Sequence, residues 1–129
     1  MIDDIQEITE VLKHYEKYVN ESNSAGLGSL YCKDAILLPD RFDVFEGAEA
    51  IERFYAYAFT LLTLNLEFSI HSENIFVSGD VGYATTDSTG TRYLKEPDQT
   101  VPEINRELWV FNKVDGDWKI ARYCFNKSE

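Results

Sequence analysis

The sequence is poor in the residues that build metal sites and disulfide frameworks. It has two cysteines, Cys32 and Cys124, and two histidines, His14 and His71, among 129 residues. No set of His, Cys or carboxylate residues has the spacing of a metal-binding motif. Two isolated thiols are more typical of free cysteines than of a disulfide. Phosphate-binding loops and nucleophile elbows are also absent, so we predict no metal and no cofactor.

Positive charge is scarce as well. Lysine and arginine total 12 against 23 aspartates and glutamates, which gives a formal net charge of −11. Such a surface repels phosphate backbones and anionic lipids. No apolar run approaches the roughly 20 residues that a membrane-spanning helix needs. We therefore expect no nucleic-acid partner and no membrane association.

The length and the first residues set the expected organisation. A chain of 129 residues is long enough for one domain, residues 1–129, with a single core. No linker, repeat or low-complexity segment interrupts it. Residues 1–4 lack the positive and apolar segments of a secretory signal, so we expect a cytoplasmic protein.

Aromatic side chains are abundant. Eight Tyr, eight Phe and two Trp make up 14% of the chain. They can fill a core, but they also suit a ligand cavity lined by rings. This composition makes a pocket for a small apolar ligand the leading hypothesis.

The hydrophobic period changes from helical to strand-like along the chain. Residues 5–19 and 51–62 carry apolar side chains three and four positions apart, and residues 27–31 fit a short helix between them. From residue 66 onward the period is two, and an Asp115-Gly116 pair predicts a hairpin. This order predicts an α+β fold, a cone-like curved antiparallel sheet packed on three N-terminal helices around a central pocket. The predicted core residues are Ile5, Ile8, Leu12, Leu30, Ile51, Phe54, Phe68 and Ile120.

The last hairpin is apolar on both faces. Leu108 and Val110 point to one side of their strand, and Trp109 and Phe111 point to the other. An antiparallel sheet with one solvated face does not show this pattern. We expect one face to meet the helices and the other to meet a second copy of the chain, as a homodimer.

Polar groups on apolar elements are the candidates for catalysis. The hydroxyl of Tyr15, on the inner stripe of the first helix, either binds a ligand carbonyl or enolate oxygen or bonds to a backbone carbonyl in the core. Asp40 follows the first predicted strand at the expected cavity mouth, as either a base or a turn residue. Asp87 lies in the middle of a strand, where aspartate is disfavoured, and faces either solvent or the pocket.

Three charged residues lie within the apolar hairpin, namely Arg106, Glu107 and Arg122. If the two strands pair directly through the predicted turn, Arg122 lies near Trp109 and Glu107 near Cys124. We favour a structural ion pair between arginine and glutamate here. The residues expected to line the pocket are Tyr18, Phe54, Asp87, Glu107, Trp109 and Arg122.

Several segments together resemble the nuclear transport factor 2-like superfamily, which includes ketosteroid isomerase and SnoaL-like polyketide cyclases. They are residues 30–35 (LYCKDA), 46–55 (EGAEAIERFY) and 115–120 (DGDWKI). Residues 101–107 (VPEINRE) and 120–126 (IARYCFN) are similar to a bacterial SnoaL-like subgroup. The resemblance covers nearly the whole chain.

The resemblance implies the pocketed cone, the homodimer and a cofactor-free isomerase or cyclase chemistry. The oxyanion-binding tyrosine of the isomerases corresponds to Tyr15. Their catalytic carboxylate falls on Pro39, with Asp40 one residue later, and such a shift reverses the face of a strand. Their second oxyanion-binding acid falls near residues 108–110, where the nearest acid is Glu107.

Two functions stay open at this point. One is an enzyme, with Tyr15 and Asp40 as candidate catalytic residues, that isomerises, cyclises or otherwise transfers a proton on an apolar carbonyl compound. The other is a non-catalytic ligand-binding or dimeric association domain. A pocket carboxylate with a raised pKa beside Tyr15 favours the enzyme. A cavity filled by rings, or lined without an ionisable group, favours the binding domain.

Overall fold

The computed structural model describes residues 3–128, which form three α-helices, a 3₁₀ turn and seven strands. The helices are α1 (Asp4–Asn20), α2 (Ser24–Ser29) and α3 (Ala48–Leu61). The strands are β1 (Tyr31–Leu38), β2 (Phe45–Glu46), β3 (Leu62–Ser69), β4 (Ile75–Ser78), β5 (Val81–Leu94), β6 (Gln99–Val114) and β7 (Asp117–Lys127). The 3₁₀ turn, Ser72–Asn74, precedes β4. The arrangement confirms the predicted α+β fold with a curved, unclosed sheet.

Helix α1 starts at a capping box. The Asp3 side chain accepts the backbone N–H of Gln6 at 2.8 Å, and the Gln6 side chain accepts the N–H of Asp3 at 3.2 Å. The helix lies on the sheet, against β3, β4 and β7. No helix within residues 3–128 is long and apolar enough to cross a membrane. The buried stripe of α1 consists of Ile8, Leu12, Tyr15 and Val19.

The sheet is mixed rather than wholly antiparallel. Its strand order is β2-β1-β7-β6-β5-β3, and β4 pairs with the first part of β5. The pair β1–β7 is parallel, whereas the other pairs are antiparallel. This pair is thus the exception within the predicted, mostly antiparallel sheet. The two strands lie far apart in sequence, so no hairpin sets their relative direction.

Several element boundaries differ from the sequence prediction, and β3, for example, begins at Leu62 rather than at residue 66. Strand β1 begins at Tyr31, which the pattern places in the second helix, and α2 ends at Ser29. The pattern also misses β4. The segment around Tyr31 and strand β4 are short apolar runs, and such runs fit the helix and strand periods equally well.

The β6–β7 hairpin turns through Asp115 and Gly116, whose φ angles of 52° and 86° fit the type I′ turn expected for this pair. Past the turn the register contains a bulge. Val110 pairs with Arg122, so Ala121 is the extra residue on β7.

The bulge moves every later pair of the hairpin by one position. Trp109 faces Tyr123 rather than Arg122, and Glu107 faces Phe125 rather than Cys124. Both predicted pairings are therefore wrong, because a direct register has no place for the extra residue.

The helices and the inner sheet face enclose the core. Five of the predicted core residues are buried, namely Ile8, Leu12, Ile51, Phe68 and Ile120. Ile5, Leu30 and Phe54 are partly exposed and pack against the same cluster. Along β6 the inward side chains are those of Glu103, Asn105, Glu107, Trp109 and Phe111, and all five are buried.

Candidate functional site

A cavity of about 130 Å³ lies between α1, α3 and the inner face of the sheet. Most of its lining is apolar, and Phe54, Phe59, Leu64, Leu66 and Phe68 are examples. Polar groups reach it from α1, α3 and the strands β5 to β7. An apolar cavity with a few convergent polar groups is the usual form of a small-molecule site.

Glu107 is a buried carboxyl group of this cavity that forms no ion pair with a described residue. Its side chain is on the inner face of β6 and the residue is 4% exposed. Oε1 accepts a hydrogen bond from the Thr86 hydroxyl at 2.6 Å, and Oε2 accepts one from the Ser88 hydroxyl at 2.6 Å. Burial raises the pKa of Glu107 to about 7, although the two hydroxyl bonds oppose that rise. Near neutral pH this group can therefore both take and give a proton.

The hydroxyls of Thr86 and Ser88, which donate to Glu107, are oriented by further hydrogen bonds. The indole Nε1 of Trp109 donates to Thr86 Oγ1 at 2.9 Å. Because an indole N–H only donates, the hydroxyl of Thr86 must accept it and give its own single proton to Glu107. Asn105 makes a longer bond of the same kind, from Nδ2 to Ser88 Oγ at 3.4 Å. The carboxylate is thus held by two oriented hydroxyls.

Buried tyrosines form a second group of hydroxyls beside the cavity. The Tyr15 and Tyr55 hydroxyls lie 2.7 Å apart, and the Tyr31 hydroxyl lies 3.0 Å from that of Tyr55. Burial raises the pKa of Tyr55 to about 12 and raises the pKa values of Tyr15, Tyr31 and Tyr123 well above the ordinary value. These four phenols, which we call the tyrosine array, stay protonated at neutral pH. Tyr15 bonds a hydroxyl here, not the backbone carbonyl of the alternative interpretation.

Charged residues lie along another part of the lining. Glu103 is 6% exposed and forms ion pairs with Arg92 and with Lys127 Nζ, the latter at 3.8 Å. Asp40 accepts the backbone N–H of Lys127 at 3.3 Å. These opposite charges balance one another locally. Among residues 3–128 no three His, Cys, Asp or Glu side chains are grouped to hold a metal ion.

Four of the predicted site residues line the cavity, and they are Tyr15, Asp40, Phe54 and Glu107. Asp87 and Arg122 are exposed on the outer face of the sheet, so their predicted position in the pocket is wrong. The reason is parity, since successive strand residues face opposite sides and Asp87 follows the inward Thr86.

Two further predictions place residues too close to the cavity. Trp109 is fully buried behind the lining, stacked on Tyr123 at 3.6 Å and edge-on to Tyr15. Tyr18 is half-buried on α1 against Gly26, where a side chain larger than hydrogen would collide with its ring. The predicted ion pair between arginine and Glu107 is also wrong, because Glu107 bonds to hydroxyls.

Sequence patterns missed the partners of Glu107. Thr86 pairs with Glu107 and Ser88 with Asn105 across the β5–β6 ladder. A signal was available in the alternation itself. Once Trp109 is assigned inward, the residues two and four positions earlier on the strand face inward as well. The strand opposite then follows from the hairpin register.

Family and structure comparisons agree with this geometry. The family model for the SnoaL-like domain matches residues 1–123. No curated protein sequence matches the chain. The structure of a ketosteroid isomerase-like protein from Erwinia carotovora atroseptica has a TM-score of 0.92 at 20% identity, covering 100% of this chain and 99% of its own.

Two other solved structures are similar at comparable identity. A nuclear transport factor 2-like superfamily protein from Salmonella enterica has a TM-score of 0.83 at 20% identity, with 97% of this chain and 91% of its own covered. A provisionally named scytalone dehydratase from Novosphingobium aromaticivorans has a TM-score of 0.84 at 16% identity, with 98% and 85% covered. At such identities these similarities establish the fold alone.

Proposed function

The chain belongs to the family of SnoaL-like domains, and from this membership and the cavity geometry we propose that it is a cofactor-free acid–base enzyme. It removes a proton from the carbon next to the carbonyl group of a small, ring-sized apolar compound. Isomerisation and cyclisation both begin with such a step. The isomerase and dehydratase names of two similar structures agree with this chemistry.

The observation that carries the proposal is Glu107 inside an apolar cavity. A general base works best when its pKa lies near the working pH, and burial brings that of Glu107 to about 7. Asp40, the base suggested by sequence, is half-buried and bonds to the backbone of Lys127. Glu107 is therefore the better placed base.

Tyr15 supplies the second requirement, a donor for the enolate oxygen. Removal of the proton places negative charge on the carbonyl oxygen, which needs a fixed hydrogen-bond donor in a dry site. Tyr15 lines the cavity and stays protonated, and its hydroxyl is already linked to that of Tyr55. Linked hydroxyls polarise one another and so strengthen the terminal donor.

Cavity size limits the substrate. The volume of about 130 Å³ is slightly below that of an engineered apolar cavity of about 150 Å³ that binds benzene. A single six-membered ring is the size of ligand that we expect this cavity to accept. Cyclohexanone is therefore a suitable probe, since it has the ring, the carbonyl group and the neighbouring protons.

The experiment measures proton exchange rather than turnover of a natural substrate. Cyclohexanone in D₂O is incubated with the protein, and loss of the protons next to the carbonyl is followed by NMR. We expect Glu107→Gln to lower the exchange rate by roughly 10²–10⁴-fold, the usual contribution of a general base. Glu67→Gln is the matched control, because Glu67 is exposed on β3. Exchange that is absent in the wild type, or equal in Glu107→Gln, contradicts the proposal.

We propose further that the protein is a homodimer through the outer face of β4, β5 and β6. Phe76, Tyr83, Ile104 and Leu108 are each 46–51% exposed there, and the rings of Phe76 and Tyr83 stack at 5.1 Å. An apolar sheet face of this kind is normally covered, and a two-fold axis lets one patch cover itself. This surface is also what a non-catalytic association domain would use.

Sedimentation or light scattering tests the dimer. We expect Leu108→Glu to give a monomer at micromolar concentration, because it places charge at the centre of the contact. Leu61→Glu is the control, since Leu61 is 50% exposed at the end of α3, away from this face. A wild-type monomer at micromolar concentration rules the dimer out.

A further inference from the structure

Asn105 has a property that packing alone does not explain. It is 5% exposed and lines the cavity. Its Oδ1 is the buried side-chain polar atom, among residues 3–128, that has no hydrogen-bond partner. Leaving a buried acceptor without a partner is unfavourable and therefore rare, so such an atom in a cavity lining is a candidate contact for a ligand. The Nδ2 side of the amide already points to Ser88, which leaves Oδ1 for the cavity.

The polar groups follow an order along the inner face of β6. Trp109 contacts the ring of Tyr15, a member of the tyrosine array. Glu107 comes next, and Asn105 follows two residues further along the strand. The cavity thus presents a hydroxyl donor, then a base, then an unpartnered acceptor. A substrate placed along the strand meets these groups in the same order.

We propose that Asn105 makes the enzyme selective for a β-hydroxy carbonyl compound and that the reaction is loss of water. The proposal rests on the function proposed above and names its substrate class. The carbonyl oxygen lies at Tyr15, the carbon that loses its proton lies at Glu107, and the hydroxyl on the next carbon donates to Asn105 Oδ1. This sequence of groups matches the order along the strand.

The chemical step balances without any further reagent. The carboxylate of Glu107 takes a proton from the carbon next to the carbonyl, and the electron pair moves onto the carbonyl oxygen, where Tyr15 stabilises it. The pair then returns to form a carbon–carbon double bond as the bond from carbon to the hydroxyl oxygen breaks. Glu107 gives its proton to the leaving hydroxyl, which departs as water. The products are an enone, one water molecule and the original carboxylate.

The test compares three cyclohexanones that differ at one position. 3-Hydroxycyclohexanone carries the donor, 3-methylcyclohexanone has the same shape without it, and cyclohexanone lacks both groups. Affinities are measured by calorimetry, and enone formation by the ultraviolet absorbance of 2-cyclohexenone. We expect the wild type to bind the hydroxy ketone about tenfold tighter than the methyl ketone, which one hydrogen bond in a dry site accounts for.

The protein side of the test uses Asn105→Leu, which keeps the approximate size and removes both polar atoms. We expect it to abolish the tenfold preference and to slow enone formation about tenfold relative to its own rate of cyclohexanone exchange, a ratio that cancels any effect on the base of losing the Asn105–Ser88 bond. Asn112→Leu is the matched control on β6, because Asn112 lies outside the cavity lining. If Asn105→Leu does not fold, equal binding of the hydroxy and methyl ketones to the wild type still overturns the selectivity.

The outcomes separate this inference from the proposed function. Equal binding of the hydroxy and methyl ketones, or a preference that survives in Asn105→Leu, overturns the selectivity even where cyclohexanone exchange is intact. Exchange that is absent together with a preference that depends on Asn105 overturns the proposed function and the elimination, and supports the hydroxyl contact alone. Enone formation that depends on both Glu107 and Asn105 supports the whole proposal.

Discussion

Two parts of the site experience the same burial with different consequences. The fixed part is the tyrosine array, and burial raises the pKa values of its phenols well above the ordinary value of 10.0. The titrating part is Glu107, whose pKa burial raises from 4.5 to about 7. Desolvation disfavours the charged form of both groups. The phenols therefore remain donors at every physiological pH, whereas Glu107 changes its protonation state within that range.

This difference divides the chemistry between a fixed part and a titrating part. A donor that stabilises a developing oxyanion must not lose its proton as conditions change. A base must accept a proton and release it in each cycle. Tyr15 meets the first condition and Glu107 the second. The following predictions test the fixed part and the titrating part separately.

The largest expected effect concerns the fixed part of the site, the tyrosine array. We predict that Tyr15→Phe lowers the rate of cyclohexanone exchange by roughly 10²–10³-fold, the usual loss when one oxyanion donor is removed. Stability should fall by only about 1 kcal/mol, the value of one ordinary hydrogen bond. Exchange measured by NMR and thermal melting report the two quantities.

Tyr31→Phe is the control for this comparison. Tyr31 belongs to the tyrosine array but does not line the cavity. It should therefore cost similar stability and change exchange less than about tenfold. Equal rate losses in the two variants would mean that the array acts as core structure, without a donor to the ligand.

The next effect concerns the titrating part of the site, Glu107, and appears in the pH dependence of the free energy of unfolding. The folded protein holds the Glu107 proton more tightly than the unfolded chain, because its pKa rises from 4.5 to about 7. The stabilisation is complete below the unfolded value and is lost as the pH rises through about 7. Between about pH 4 and pH 8 the wild type should lose up to about 3 kcal/mol relative to Glu107→Gln. Parallel denaturation curves for the two proteins at all pH values would contradict a buried titrating carboxyl.

The sequence alone predicts the position of Tyr15 better than it predicts the surroundings of Glu107. Helical phase and the family resemblance placed Tyr15 on the inner stripe of α1, where it is buried. The partners of Glu107, Thr86 and Ser88, flank Asp87 on β5 and face the opposite side of the sheet from it. A strand with Asp87 in the pocket, as predicted, would place both of them outward. Nothing in the local pattern of β7 marks the bulge at Ala121. That bulge depends on pairing between strands, which composition and periodicity do not encode.

A smaller effect is expected from the hydroxyl that holds Glu107. The bond from Thr86 lowers the pKa of Glu107, so its removal in Thr86→Val raises that pKa further. The pH at which exchange reaches half of its maximum should then rise by about one pH unit, the value of one bond to a charged group. Thr85→Val, exposed on the opposite face of β5, is the control and should leave the profile unchanged.

The smallest expected effect comes from a charged residue on the outer face of the sheet, opposite Glu107. The negative charge of Asp87, exposed on the outer face, contributes to raising the pKa of Glu107 on the inner face. Asp87→Asn removes that charge, so the pH for half-maximal exchange should fall by roughly a few tenths of a pH unit at low salt. Salt at about 0.5 M should erase most of the difference, because an exposed charge is screened. Asp115→Asn, at the distant hairpin turn, should change nothing. A profile that rises in Asp87→Asn would show that Asp87 acts on Glu107 through packing and not through its charge.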